Sequence, residues 1–283
     1  MTREELVNVY IMEQRNLNES SLNEYLQHIN SLFDYVNKDL LDITRDDILN
    51  YLEVHKNLSS STKHLFLSAI NGFYKALNTR HITDRCPSYG IKLPKVKNKI
   101  KIPLTSNEVH YILNYCKNKR DYAFWTLMFS TGMRISEAIG LTLEQYYGRS
   151  EENVIIIEGK GDKERFVCLN DNIINAIEDY LKVRKDSVYD NLFISNGGKP
   201  LDRSCCSRNL KTIAKRTGKF NDYRIKTLCN HLTRTTYATS LINNNVPLDN
   251  IQDILGHESS NTTRIYAKRN VKSIVDTMKN FSI

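Results

Sequence analysis

Val154-Ile-Ile-Ile157-Glu-Gly159-Lys160-Gly-Asp-Lys163-Glu-Arg165-Phe166-Val-Cys-Leu169 carries the only strong strand signal in this chain of 283 residues. A β-branched run, a turn rich in Gly and Lys, and a second apolar run predict a hairpin. Leu192-Phe-Ile194 is a candidate third strand. Everything around it reads as helix. Residues 119–131 place Ala123, Leu127 and Met128 on one side and stop at Thr131-Gly132. Further helices are predicted at 171–185, 204–216, 231–242 and 248–255, with a short segment through Tyr266 and a tail from Val271. Upstream, Thr105 and Ser106-Asn-Glu108 form a cap before another helix. The fold class is therefore mainly α with a small β-sheet.

The first 90 residues predict a separate helical bundle. Leu22, Leu26, Ile29, Leu32, Phe33 and Val36 recur at three- and four-residue steps, which lines one helical face. Thr44 reads as an N-cap, with Asp46 and Asp47 in the first turn and Ile48, Tyr51 and Leu52 beyond. Ser59-Ser-Ser-Thr62 begins a helix carrying Leu65, Leu67, Ile70, Phe73, Tyr74 and Leu77. Short connections suggest antiparallel packing. Cys86-Pro-Ser-Tyr-Gly90 closes this block. The organisation expected is a bundle over 1–91, a basic linker over 92–104, a second domain over 105–270 and a tail helix over 271–283. In the linker, Lys95, Lys97, Lys99 and Lys101 fall at period two, so an extended chain turns them all one way.

Composition bounds the function. The net charge of +8 is unevenly spread: residues 1–52 hold four Lys/Arg against ten Asp/Glu, whereas residues 94–283 hold 30 against 20. That imbalance suits a polyanionic partner. No window approaches the apolar length of a membrane span, and the N-terminus has no secretion signal. A cytoplasmic, nucleoid-associated protein is expected. The six cysteines fit no zinc spacing and read as reduced thiols.

Six polar residues between positions 134 and 266 carry chemistry: Arg134, Lys160, His231, Arg234, His257 and Tyr266. A phosphodiester repels nucleophiles, and its transition state gathers further negative charge. Arginine answers both without a metal, because its planar fork matches phosphate oxygens and stays charged. His231 and Arg234, three apart, share a helical face. Thr131-Gly132 lets the backbone swing into a new helix that presents Arg134, with Glu137 one turn on. Lys160, between two glycines at the hairpin tip, can protonate a departing 5′-oxygen, an alkoxide being a poor leaving group at pH 7. Lys163 is a rival for that role. Gly256 supplies a helix stop that leaves His257 at a bend. Tyr266, with an ordinary pKa of about 10, needs a base or a cationic pocket before it can attack phosphorus.

In order and spacing these residues resemble the tyrosine recombinase (phage integrase) family, and the likeness runs over nearly the whole chain. The resemblance implies a two-domain C-shaped DNA clamp: a SAM-like core-binding bundle and an α+β catalytic domain. It makes Tyr266 the nucleophile, Arg134, Lys160, His231, Arg234 and His257 its catalytic partners, and Glu137 a supporting carboxylate. Lys95, Lys97, Lys99, Lys101, Lys163 and Arg165 become DNA-backbone contacts. Neither cofactor nor metal is implied. The implied partners are double-stranded DNA at a specific recombination site, a homotetramer on two duplexes built through the tail (Val271, Ile274, Val275, Met278), and accessory DNA-bending or directionality proteins. Thr235 departs from the histidine many members place there. Three alternatives stay open, the first two being a type IB topoisomerase-like DNA-relaxing enzyme and a non-catalytic DNA-binding protein on the same scaffold. A metal-dependent nuclease using His231 and His257 is a third.

Overall fold

The computed structural model describes residues 1–93, 95–96, 102–158 and 164–256. They fall into two compact units, Met1–Lys99 and Ile100–Ile283. The first contains α1 (Arg3–Glu13), α2 (Glu19–Val36), α3 (Arg45–Val54) and α4 (Ser60–Thr79). Each begins at a side-chain cap: Thr2, Asn18, Thr44 and Ser59 accept from backbone N–H groups of the first turn. Thr44 and Asp47 cap each other reciprocally, the arrangement that satisfies two otherwise orphaned donors. The predicted face of α2 turns inward. Ile29, Leu32 and Phe33 are buried with Tyr10, Ile48, Phe66, Ile70 and Phe73, while Leu22, Leu26 and Val36 flank them. Tyr74 is buried among them and donates to the Leu40 carbonyl at 2.7 Å. Burial pushes its pKa well above the ordinary phenol value.

The second unit holds α5 (Ser106–Asn114), α6 (Lys119–Thr131), α7 (Ile135–Gly140), α8 (Leu143–Tyr147), β1 (Val154–Glu158), β2 (Glu164–Cys168), α9 (Asp171–Leu181), α10 (Arg203–Thr217), α11 (Asp222–Thr227), α12 (Asn230–Asn243) and α13 (Leu248–Leu255). α6 is buried nearly all round; Phe124, Trp125, Leu127 and Met128 pack with Ile173 and Ile177 of α9 and Leu210 and Ile213 of α10. A smaller cluster of Ala238, Ile251 and Leu255, flanked by Tyr237, Leu241 and Ile242, joins α12 to α13.

The hairpin forms as expected, antiparallel with Ile156 opposite Phe166. Among the described residues the sheet has two strands. The third-strand expectation fails: Leu192–Ile194 makes only isolated bridges nearby. Its backbone donors are taken elsewhere, Leu192 N–H by the Leu141 carbonyl and Ile194 N–H by the Tyr180 hydroxyl. An apolar run buried between helices needs no ladder once those donors are met.

The connector expected over 92–104 is partly core. Leu104 is buried, and its N–H donates to Thr236 of α12. Arg224 of α11 donates to the Ile102 and Pro103 carbonyls and forks onto Glu108. The second unit is thus sealed where its chain enters. All six cysteines are unpaired, and no described helix is long and apolar enough to cross a membrane.

Candidate active site

Gly132 closes α6 in a left-handed conformation, φ +61°. The chain then turns at Arg134, which is the N-cap of α7. Glu137 reaches back one turn. Its carboxylate accepts from the Arg134 N–H at 2.6 Å and from Arg134 Nη1 at 2.8 Å. Its side chain is only 5% exposed. Burial opposes its ionisation, but the charge of Arg165 and hydrogen bonds from Arg134 and Arg165 outweigh that, so its pKa lies below the usual carboxylate range.

The arginines meet at the C-terminal end of α13. Arg165 Nη1 donates to the Ile254 carbonyl, Arg234 Nη2 to Leu255, and Arg134 Nη2 to Gly256. Arg234 Nη1 also takes the Gly132 carbonyl at 2.9 Å. The last carbonyls of a helix have no intrahelical donor and lie at its negative end, so three consecutive ones make a natural seat for cations. Gly256, φ +62°, turns the chain out of α13 there, as the helix-stop reading predicts. Arg134 and Arg234, 100 positions apart in sequence, are thereby fixed side by side.

Both line one cleft of about 930 Å³, together with His231. His231 is exposed and Arg234 is 2% exposed, one turn further down the same face of α12. The opposite wall comes from α10: Arg203, Ser204, Ser207, Arg208 and Lys211. Sequence reasoning missed this wall. The signal was present, since Arg203, Ser207 and Lys211 recur at four-residue steps along the flank of the buried stripe Cys206, Leu210 and Ile213.

Arg165 departs from the sequence reading. Its side chain is 6% exposed, pairs with Glu137 at 2.7 Å and, unlike Arg134 and Arg234, does not line the cleft. Strand alternation is the reason: Val167 faces the core, and period two puts Arg165 on the same side while Phe166 faces solvent. Lys95 is exposed. Lys97, Lys99, Lys101, Lys160, Lys163, His257, Tyr266 and the tail 271–283 lie outside the described residues.

Comparisons with known proteins agree with this geometry. Residues 103–273 match the phage integrase family model and residues 8–81 the SAM-like N-terminal domain of phage integrases. The tyrosine recombinase XerD of Halalkalibacterium halodurans is 32% identical over 237 residues, 80% of this chain and 77% of the relative. XerD of Oceanobacillus iheyensis is 29% identical over 275 residues, covering 91% and 90%. The crystal structure of the XerH site-specific recombinase bound to a palindromic difH substrate superposes with a TM-score of 0.73 at 23% identity, over 93% of this chain and 80% of that one. A family match across more than half of the sequence, on a fold that brings its two spaced arginines into one cleft, leaves a single assignment: the chain belongs to the phage integrase family, the tyrosine recombinases.

Proposed function

We propose that this chain is a site-specific DNA recombinase that cuts and rejoins double-stranded DNA through a 3′-phosphotyrosyl intermediate. The observation that supports it best is the convergence of Arg134 and Arg234 in one cleft beside His231, walled by the basic face of α10. The scissile phosphate occupies that cleft. The two guanidinium groups hold its non-bridging oxygens and offset the charge that grows as phosphorus becomes five-coordinate. The phenol oxygen of Tyr266 attacks phosphorus in line, losing its proton to a neutral imidazole, for which His231 is the candidate. The bond from phosphorus to the 5′-oxygen breaks, and Lys160 supplies the proton that makes a 5′-hydroxyl. His257 donates to a phosphate oxygen. A 5′-hydroxyl from the same or a partner duplex then reverses the step, so the phosphotyrosyl bond conserves the energy of the cut.

The α10 wall and Lys95, Lys97, Lys99, Lys101 and Lys163 contact phosphates along the duplex. Strand exchange between two duplexes calls for four copies, and the apolar stripe Val271, Ile274, Val275 and Met278 is the docking element. The test is a nicked suicide duplex from which the short 5′-hydroxyl fragment diffuses away. Wild type accumulates a covalent adduct on a denaturing gel and Tyr266→Phe does not. An adduct that persists in Tyr266→Phe would refute the nucleophile.

A further inference from the structure

Arg165 stands on the inner face of β2 with no role in the chemistry above. Three observations define its position. Its Nη2 shares the Glu137 carboxylate with Arg134, at 2.7 Å. Its Nη1 holds the Ile254 carbonyl at 2.9 Å, one residue before the carbonyl that holds Arg234. Its stem runs against Gly256, where a Cβ would come within 2.8 Å of Arg165 Cδ. One side chain therefore ties together the strand that follows the Lys160 segment, the carboxylate under Arg134, and the helix end on which Arg134 and Arg234 rest.

As a device for stability this arrangement is poor. Burying a guanidinium carries a desolvation cost that an ion pair rarely repays, and Arg165 Nε finds no acceptor among the described residues. A buried polar atom left unmatched asks for another reason. Charge supplies it. Glu137 alone would neutralise Arg134, which it holds at 2.8 Å. With Arg165 competing for the same carboxylate, one negative charge faces two positive ones, and Arg134 keeps an excess for an incoming anion.

We infer that Arg165 is a positioning residue of the active site, fixing Glu137 and the end of α13 so that Arg134 meets the scissile phosphate with its charge uncompensated. This rests on the recombinase reading of the cleft. Because Arg165 is buried and does not line the cleft, its loss should slow cleavage without weakening binding. Misplacing a group by about 1 Å can cost on the order of 100-fold in rate.

The experiment compares wild type, Arg165→Met and Arg165→Lys on the nicked suicide duplex. Single-turnover adduct formation and duplex Kd are measured at one salt concentration. Arg165→Met should cleave about 100-fold more slowly with Kd changed less than about two-fold. Arg165→Lys keeps the charge but cannot span Glu137 and Ile254 together, so its rate should fall between the two. Should Arg165→Met fail to fold, Arg165→Lys decides alone: slower cleavage at unchanged Kd supports the role. Wild-type cleavage in the folded variants, or affinity falling in step with rate, overturns it. If wild type itself forms no adduct, the reading of the cleft fails and this role fails with it.

Discussion

Gly132→Ala should cost far more than an ordinary glycine substitution. Gly132 has φ +61°, where a Cβ is disfavoured, a penalty of about 1–2 kcal/mol. The added carbon would lie 2.6 Å from Cδ1 and 3.2 Å from Cγ of Tyr237, and 3.0 Å from Cδ2 of Leu255. Neither neighbour is a loose end: the Tyr237 ring and Leu255 both belong to the cluster that joins α12 to α13. Overpacking of that kind typically costs about 1–3 kcal/mol, so the total is about 2–5 kcal/mol. Gly218 provides the control. Its φ is +65° and a Cβ there meets nothing within 4 Å, so Gly218→Ala should show the backbone penalty alone. Trp125 is the single tryptophan and lies in the core of the second unit, so its fluorescence during urea unfolding reports on the right unit. Gly132→Ala should fall below Gly218→Ala by about 1–3 kcal/mol. Adding Tyr237→Ala should remove most of that difference. Equal costs at the two glycines, or a difference that survives the loss of the ring, would refute the steric reasoning. Because Gly132 also supplies a carbonyl to Arg234, cleavage should suffer even where folding persists.

Three further outcomes are expected. The depressed pKa of Glu137 stabilises the fold fully above its unfolded value of about 4.3, and that contribution is lost as pH falls through the folded value. Thermal melts from neutral to acid should therefore show wild type losing more stability than Glu137→Gln below about pH 4; parallel curves would contradict this. Arg224→Met removes the fork onto Glu108 and two backbone bonds at the entry to the second unit, and should cost about 2–4 kcal/mol in urea unfolding. A loss below 1 kcal/mol, roughly that of an exposed pair, would show that the seal is ornamental. Arg208→Ala with Lys211→Ala should lower the log–log salt slope of DNA binding by about 2, from about −9 if some ten phosphates are neutralised. An unchanged slope would remove α10 from the interface.

Much of this architecture was legible because local rules act over a few residues. The Thr44 and Asp47 pair, the inward face of α2, the hairpin and the Gly256 stop each depend on neighbours within one or two turns. What escaped was either a misread period or a long-range acceptor. The resemblance makes Arg165 a DNA-backbone contact beside the hairpin turn, although alternation through Val167 points it inward. Leu192 to Ile194 has strand composition, yet its donors are met by Leu141 and Tyr180. No motif could announce that three arginines would sit on the carbonyls of Ile254, Leu255 and Gly256, because a peptide oxygen looks the same at every position.

That shared seat has a mechanical consequence. The polypeptide leaves α13 through Gly256, the very residue whose oxygen steadies Arg134, and His257 comes next in the chain. Any shift of the backbone at Gly256 is therefore felt directly by Arg134, and a shift of Leu255 by Arg234. The end of α13 is in this sense a tiller for the pair: moving those last carbonyls re-aims both guanidinium groups at once.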